Sequence, residues 1–179
     1  MSVSLSLVSE LERLANTLDA GSSGTTEISL PSIAERIAKS IGVKTEEVAI
    51  LGLSTKWRHL HFLVPEALKN VGFIPLSSNS ALAARTARDG RPEINNNFSD
   101  ARHATVFEGA KMGGESGEAI QKIISAPILS GEKVVGIIQI SRKGENAASA
   151  GPDFTSEDVG KVVALCKPLG KLVQHVVGE

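Results

Sequence analysis

Apolar side chains fill both alternate sets of positions in two consecutive runs. These are Ile-Ile-Ser-Ala-Pro-Ile-Leu from Ile123 and Lys-Val-Val-Gly-Ile-Ile-Gln-Ile-Ser-Arg-Lys-Gly from Lys133, joined by Ser-Gly-Glu. A strand with one wet face alternates apolar and polar residues, so two apolar faces predict a hairpin covered on both sides. A long apolar-periodic helix follows from about Thr155 and can cover one side. Its start is well marked. Thr155 is the expected N-cap, Asp158 completes a variant capping box, and Phe154 and Val159 have the spacing of a hydrophobic staple. The stripe Val159, Val162, Val163, Cys166, Leu169, Val173 and Val176 is expected to be buried, with Pro168 kinking or breaking the helix near 164–168. The second cover must come from upstream.

Upstream, Leu7, Leu11, Leu14 and Leu18 form one apolar seam on a helix over 3–18, and Gly21-Ser-Ser-Gly24 breaks it. A second helix over 31–41 carries Leu30, Ile33, Ile37 and Ile41, with Gly42 as its stop. Strands are predicted over 48–53 and 57–64, then a turn or short helix from Pro65. Phe73-Ile-Pro-Leu reads as a short extended piece that Pro75 confines to an edge. Ser78 or Asn79 should cap a helix over about 80–88, ended by Asp89-Gly90. A short strand at Pro92-Glu-Ile-Asn-Asn, a helix from Ser99-Asp100 to about Met112 and a loop over 113–117 lead into the hairpin; 145–151 reads as a small-residue loop. This order fits an antiparallel α+β sandwich. The tight hairpin and the lack of a glycine-rich phosphate loop after a strand exclude a doubly wound parallel fold.

Composition changes this picture little. A chain of 179 residues with 41% hydrophobic and 22% charged residues suits one domain with a proper core. A net charge of −1 with no basic stripe argues against nucleic acid as partner, and no apolar run is long enough to span a membrane. Cys166 stands alone, so there is no internal disulfide; with no signal peptide at the N-terminus, a cytoplasmic location is expected. The absence of tyrosine and 3% aromatics argue against base-stacking platforms.

Three segments, in order, resemble the GAF family: Ala-Leu-Ala-Ala-Arg-Thr-Ala-Arg-Asp-Gly90-Arg-Pro92-Glu-Ile94; Ile-Ser-Ala-Pro127-Ile-Leu with Val-Val-Gly136-Ile-Ile-Gln; and Phe154-Thr-Ser-Glu-Asp158. The resemblance runs from about Leu30 to Val176. It implies an α+β fold with a central five- or six-stranded antiparallel sheet sandwiched between helices. It also implies a sensory or regulatory domain of bacterial-type signal transduction that binds a small molecule and acts on a separate signalling protein. Residues 1–24 would form an N-terminal helix and flexible break, and residues 25–179 the GAF-like domain. The chain ends soon after the last helix, so no output domain of its own is expected. In cyclic-nucleotide-binding members an asparagine-lysine pair precedes the phenylalanine and an aspartate-glutamate pair. Here Lys143 and Asp158 match, while Arg142 and Val159 replace the other two, which points away from cyclic nucleotides and toward a Lys143–Asp158 ion pair tying strand to helix. Cys166, on the helix stripe, is placed for neither a bilin attachment nor the cysteine exchange of free methionine sulfoxide reductases.

Trp57, His59 and His61 share one face if the second strand is regular. Two such histidines can bind a metal but need further ligands, and no nearby cysteine or acidic cluster supplies them. The alternatives are a pocket wall or a half-buried hydrogen-bonding face. Arg102 and His103 occupy the first turn of the helix after Ser99-Asp100, where anions are favoured. Arg85, Arg88, Arg91 and Lys111 add positive charge, so the ligand is expected to be small and anionic; otherwise these residues pair with Asp89, Asp100 and Glu108 on a solvated face. Asn95-Asn96-Asn97 suits a turn. Gln139 and Ser141 lie on a covered strand face and need partners. Glu46-Glu47 is expected to be solvated. No nucleophile elbow, zinc-protease motif or cysteine–histidine pair is present, so no catalytic residues are assigned and no enzyme is expected.

The ligand-contacting set is therefore Trp57, His59, His61, Arg102, His103 and Gln139, with no metal and the cofactor unidentified. The seam of the first helix and the stripe of the last suggest a homodimer through the terminal helices. The alternative readings are a ligand-free interaction module and, less favoured, an enzyme acting on a small anionic metabolite through His59, His61 or His103.

Overall fold

The computed structural model describes residues 3–19, 29–68, 72–79, 81–98 and 119–177. The expected helix after Ser99, the loop over 113–117 and the break at Gly21 lie outside the described residues, and with them Arg102, His103 and Lys111. The helices are α1 (Val3–Asp19), α2 (Leu30–Ile41), α3 (Leu82–Asp89), α4 (Ala147–Ala150) and α5 (Ser156–Val177). The strands are β1 (Val48–Ser54), β2 (His59–Val64), β3 (Phe73–Pro75), β4 (Glu93–Asn95), β5 (Ala119–Ser130) and β6 (Lys133–Gly144). They form one six-stranded sheet in the order β3-β2-β1-β6-β5-β4, with every neighbouring pair antiparallel.

The apolar hairpin becomes β5–β6 at the centre of the sheet, covered on both faces as its pattern requires. On one side α5 and α2 lie against the strands and α1 packs over them. Ile33, Ile37, Ile50, Ile124, Ile138, Leu165, Leu169 and Leu172 join in one cluster. Leu7 and Leu11 of α1 are buried in it, so that much of the seam is used within the chain. Gly170 brings α5 close to the sheet: a Cβ there would lie 1.9 Å from the Leu129 carbonyl oxygen. On the other side Ala81–Ala84, Phe98, Leu51, Leu60, Phe62, Ile123 and Ile137 form a separate cluster under α3.

Local chemistry sets the element ends. Ser29 Oγ accepts from Ser32 N at 3.4 Å, Pro31 sits in the first turn of α2, and Gly42 closes it in the left-handed region at φ +90°. The capping of α5 is as expected. Asp158 N donates to Thr155 Oγ1 at 3.2 Å, and Thr155 N donates to Asp158 Oδ2 at 2.9 Å.

Several expectations need correction. β2 begins at His59, because Thr55–Arg58 form a turn in which Arg58 takes φ +54°, so Trp57 is not on the strand. Neither Ser78 nor Asn79 is the N-cap of α3. Ala81 holds that position, and Ser78 Oγ accepts from Ala81 N at 3.1 Å. The loop before α5 contains α4, closed by Asn146 and Ser149 bonding each other's backbone N–H. Val163 and Val176 of the predicted stripe are exposed, while Leu165 and Leu172 are buried, because α5 is covered by α1 as well as by the sheet. The helix continues unbroken through Pro168. The proline removes only the bond to the Ala164 carbonyl, and the buried leucines on either side hold the rest in place. Glu47 is buried rather than solvated. Its carboxylate accepts from Lys44 N at 2.8 Å and Lys143 N at 2.7 Å, tying the start of β1 to the end of β6. Asp158 is engaged in the α5 cap. The ion pair tying β5 to the segment before α5 joins Lys122 and Asp153 at 2.8 Å.

Candidate functional site

Among the described residues expected to share a pocket, His59 and His61 fall on one face of the sheet and Gln139 on the other. Gln139 pairs with Ala49 and Ser125 and lies between Ile138 and Ile140, which face α5, so it faces α3. His59 and His61 pair with Ser54 and Gly52 and alternate with Leu60 and Phe62 of the α3 cluster, so they face the α5 side. A Cβ at Gly52 would meet Val177 Cγ2 at 2.6 Å and His61 Cε1 at 3.3 Å, placing His61 beside the end of α5. His59 stacks on Phe73 with centroids 4.1 Å apart and meets His61 edge-on at 6.2 Å. Its Nδ1 is buried and makes no hydrogen bond among the described residues. No cluster of three or more metal-ligating side chains is present among the described residues. Trp57 is 66% exposed, with Lys56 Nζ 5.2 Å from its ring centroid.

On the α3 side Gln139 finds the partner its covered position requires, in a row with Ser125 and Thr86. Thr86, Ser125 and Gln139 are fully buried in a layer otherwise made of aliphatic and aromatic side chains. Thr86 Oγ1 donates to the Leu82 carbonyl at 3.0 Å and lies 2.7 Å from Ser125 Oγ; Gln139 Nε2 donates to the same Ser125 oxygen at 3.2 Å. This row runs from the helix across β5 to β6. Hydroxyls donate one bond and accept more, and an amide does both, so the row can exchange partners with a polar molecule entering the layer. The small residues Ala81, Ala83 and Ala84 let α3 approach the strands. The signal for the row is a serine inside the apolar run Ile-Ile-Ser-Ala-Pro, at the position that pairs with Gln139. Ser141, the other polar residue on β6, donates instead to the Glu47 carbonyl at 3.3 Å.

Two of the positive charges around this layer, Arg85 and Arg88, have local partners. Arg85 forms an ion pair with Glu93, and its Nε donates to Glu93 Oε1 at 3.2 Å. Arg88 donates to the Leu76 and Ser78 carbonyls at 2.5 and 2.7 Å. Of the asparagines, Asn95 closes a turn on Asn97 N at 2.8 Å, as expected. Asn96 instead clamps Phe154 from both sides, accepting its N–H at 2.8 Å and donating to its carbonyl at 3.0 Å. That pair of bonds fixes the end of β4 against the start of α5. Cys166, 5% exposed, has its thiol pushed up to about 12 by burial, which removes the thiolate that reactivity needs.

No protein-family model matches the sequence, and no curated protein matches it. Solved structures do match. The GAF domain of a phosphoenolpyruvate-protein phosphotransferase from Acinetobacter aligns with TM-score 0.69 at 18% identity, over 99% of this chain and 96% of that one. The GAF domain of a two-component sensor histidine kinase from Bacillus halodurans gives TM-score 0.58 at 18% identity, over 86% and 100%. The type II free methionine-R-sulfoxide reductase of Thermoplasma acidophilum gives TM-score 0.53 at 14% identity, over 83% and 96%. The chain has the GAF fold, a fold found in signalling proteins and in at least one enzyme. No helix among the described residues is long and apolar enough to cross a membrane.

Proposed function

We propose that this chain is a sensory or regulatory domain of the GAF type that holds a small molecule between its sheet and α3 and passes the change to a separate signalling protein in the cytoplasm. The buried Thr86–Ser125–Gln139 row carries the reading, because polar groups placed in an apolar layer cost stability unless they have a use or a full set of partners. The ligand is anionic in this reading, with Arg102 and His103 as its charge partners. An enzyme is disfavoured: the sole cysteine is buried with a raised pKa, which does not suit the exchange chemistry of a reductase. A thermal-shift screen of metabolites and nucleotides tests the proposal. The expected outcome is an anionic compound that stabilises wild type, with its effect lost in Arg102→Ala and in Gln139→Leu. If no compound shifts the protein, the reading is withdrawn.

A second reading, a protein-interaction module, draws on the aromatic side chains left exposed at the β2–β3 end, Trp57 and Phe73. A homodimer through the terminal helices belongs to it. With Leu7 and Leu11 buried inside the chain, that dimer has less apolar surface to use than the sequence suggests. Sedimentation of micromolar protein should show a dimer if this reading holds, and only monomer if it does not.

A further inference from the structure

A cleft lies at the sheet edge, away from the α3 layer. β4 pairs only with Ile123, Ile124 and Ser125, so residues 126–130 of β5 have no strand beside them on that edge among the described residues. Gly90, in the left-handed region at φ +66°, ends α3, and Pro92 then starts β4 late, which leaves the gap. α5 walls the other side. The result is a cleft of about 520 Å³ lined by Pro92, Pro127, Leu129, Val163 and Cys166, with Lys167 and Lys171 on its α5 wall. That volume lies in the range of small-molecule sites.

The lining has one chemical sense. Its body is aliphatic, prolines and branched side chains, and none of the residues lining it is acidic. The two lysines are one helical turn apart and lie on the same face of α5. Arg91 is exposed between the lining residues Gly90 and Pro92. Pro127 presents no N–H along the open edge, so an added peptide strand would lose a ladder bond there. Val163, 45% exposed, is an apolar side chain open to solvent at the cleft, where burying it would be favourable.

We propose that this cleft binds a small amphipathic monoanion, with its apolar body against Pro127, Leu129 and Val163 and its carboxylate at Lys167 and Lys171. The site is distinct from the layer under α3 and does not depend on what that layer holds. A second copy of the chain is the competing occupant, because the same apolar edge could meet itself.

Isothermal titration of the full chain with decanoate, below its micelle-forming concentration, tests the assignment. Wild type should bind. The double variant Lys167→Glu/Lys171→Glu should bind at least about tenfold more weakly, because its carboxylate now meets like charge. Val163→Trp, which fills the cleft from its solvent side, should weaken binding by a similar factor, and decanol should bind wild type more weakly than decanoate. Both variants change exposed positions, so unaltered melting shows that they are folded. Equal binding by wild type and both variants would place the molecule elsewhere and overturn the proposal, as would absence of binding to wild type. A wild-type dimer that Val163→Trp converts to monomer, with decanoate leaving it unchanged, would assign the cleft to a second copy and overturn it equally.

Discussion

The two faces of one strand, β6, serve opposite purposes. Ile138 and Ile140 enter a cluster made of aliphatic side chains from α1, α2 and α5. Ile137 enters the other cluster, but its neighbour on that face, Gln139, is polar and bonded to Ser125. The first face is closed by α5, a helix of 22 residues, and the second, among the described residues, by α3, a helix of eight. Dry packing under a long helix gives stability and allows little adjustment. A polar row under a short, alanine-rich helix gives up some of that stability, and it leaves groups that can change partners.

The dry face depends most on Gly170. A Cβ placed there comes 1.9 Å from a backbone oxygen, which no rotamer change can relieve, so α5 must lift from β5. Gly170→Ala should cost about 4 kcal/mol or prevent folding. Gly160 is on the same helix with nothing near its added Cβ, and Gly160→Ala should stabilise by about 0.5–1 kcal/mol. Chemical denaturation of both variants checks the pair. Equal effects would mean that α5 is not seated on the sheet as described.

The dry face also predicts an alkaline weakness. Cys166 has its pKa raised by burial to about 12 from an ordinary thiol value of 9.0. The folded chain therefore holds this proton more tightly than the unfolded chain. The resulting stability is fully present below pH ~9 and is lost as pH rises through ~12, by about 4 kcal/mol in all. Cys166→Ala should be less stable at neutral pH because it leaves a small void, yet lose less between pH ~9 and ~12 than wild type does. Parallel alkaline losses in the two proteins would show that the thiol is not held in a dry site.

The α3 face should respond more mildly and with coupling. Ser125→Ala removes the atom that both Thr86 and Gln139 reach, and Gln139→Leu removes one arm. Each should cost about 1–2 kcal/mol. Because they share bonds, the double variant should cost less than the sum by about 0.5–1 kcal/mol. Additivity within about 0.3 kcal/mol would show that the row does not act as a unit.

Much of this organisation was legible in the chain. The doubly apolar hairpin implied two covers, and the α5 cap and the stop at Gly42 followed from residue chemistry at fixed offsets. What misled was periodicity without register. The alternation of apolar and polar residues from Trp57 predicts a strand starting there, but the turn runs on to Arg58. His59, His61 and Gln139 read as one site because each lies on a strand. Only pairing decides which face a strand position takes, and a shift of one residue reverses it. The pairing of Thr86 with Ser125 has no local signature, because small hydroxyl residues occur widely in helices and strands and these two lie 39 residues apart. The clamp of Asn96 on Phe154 is likewise a contact between distant segments, with no local signature.

The smallest expected effect falls at Trp57. In an extended strand beside the histidines it would be half-buried, and replacing it would cost several kcal/mol, as large aromatic truncations in packed sites do. On the turn it is 66% exposed, and its ring contact is with Lys56, itself exposed, a geometry worth well under 1 kcal/mol in water. Trp57→Ser should therefore change stability by no more than about 0.5 kcal/mol. As the sole tryptophan, it also reports its surroundings directly. Emission of the folded protein should resemble that of the unfolded chain. It should stay unchanged when a compound stabilises the α3 layer, since Trp57 lies on the turn and not among the side chains of that cluster. A loss of 2 kcal/mol or more, or a strongly blue-shifted native emission, would return Trp57 to the packed strand and would require the histidine face to be redrawn around it.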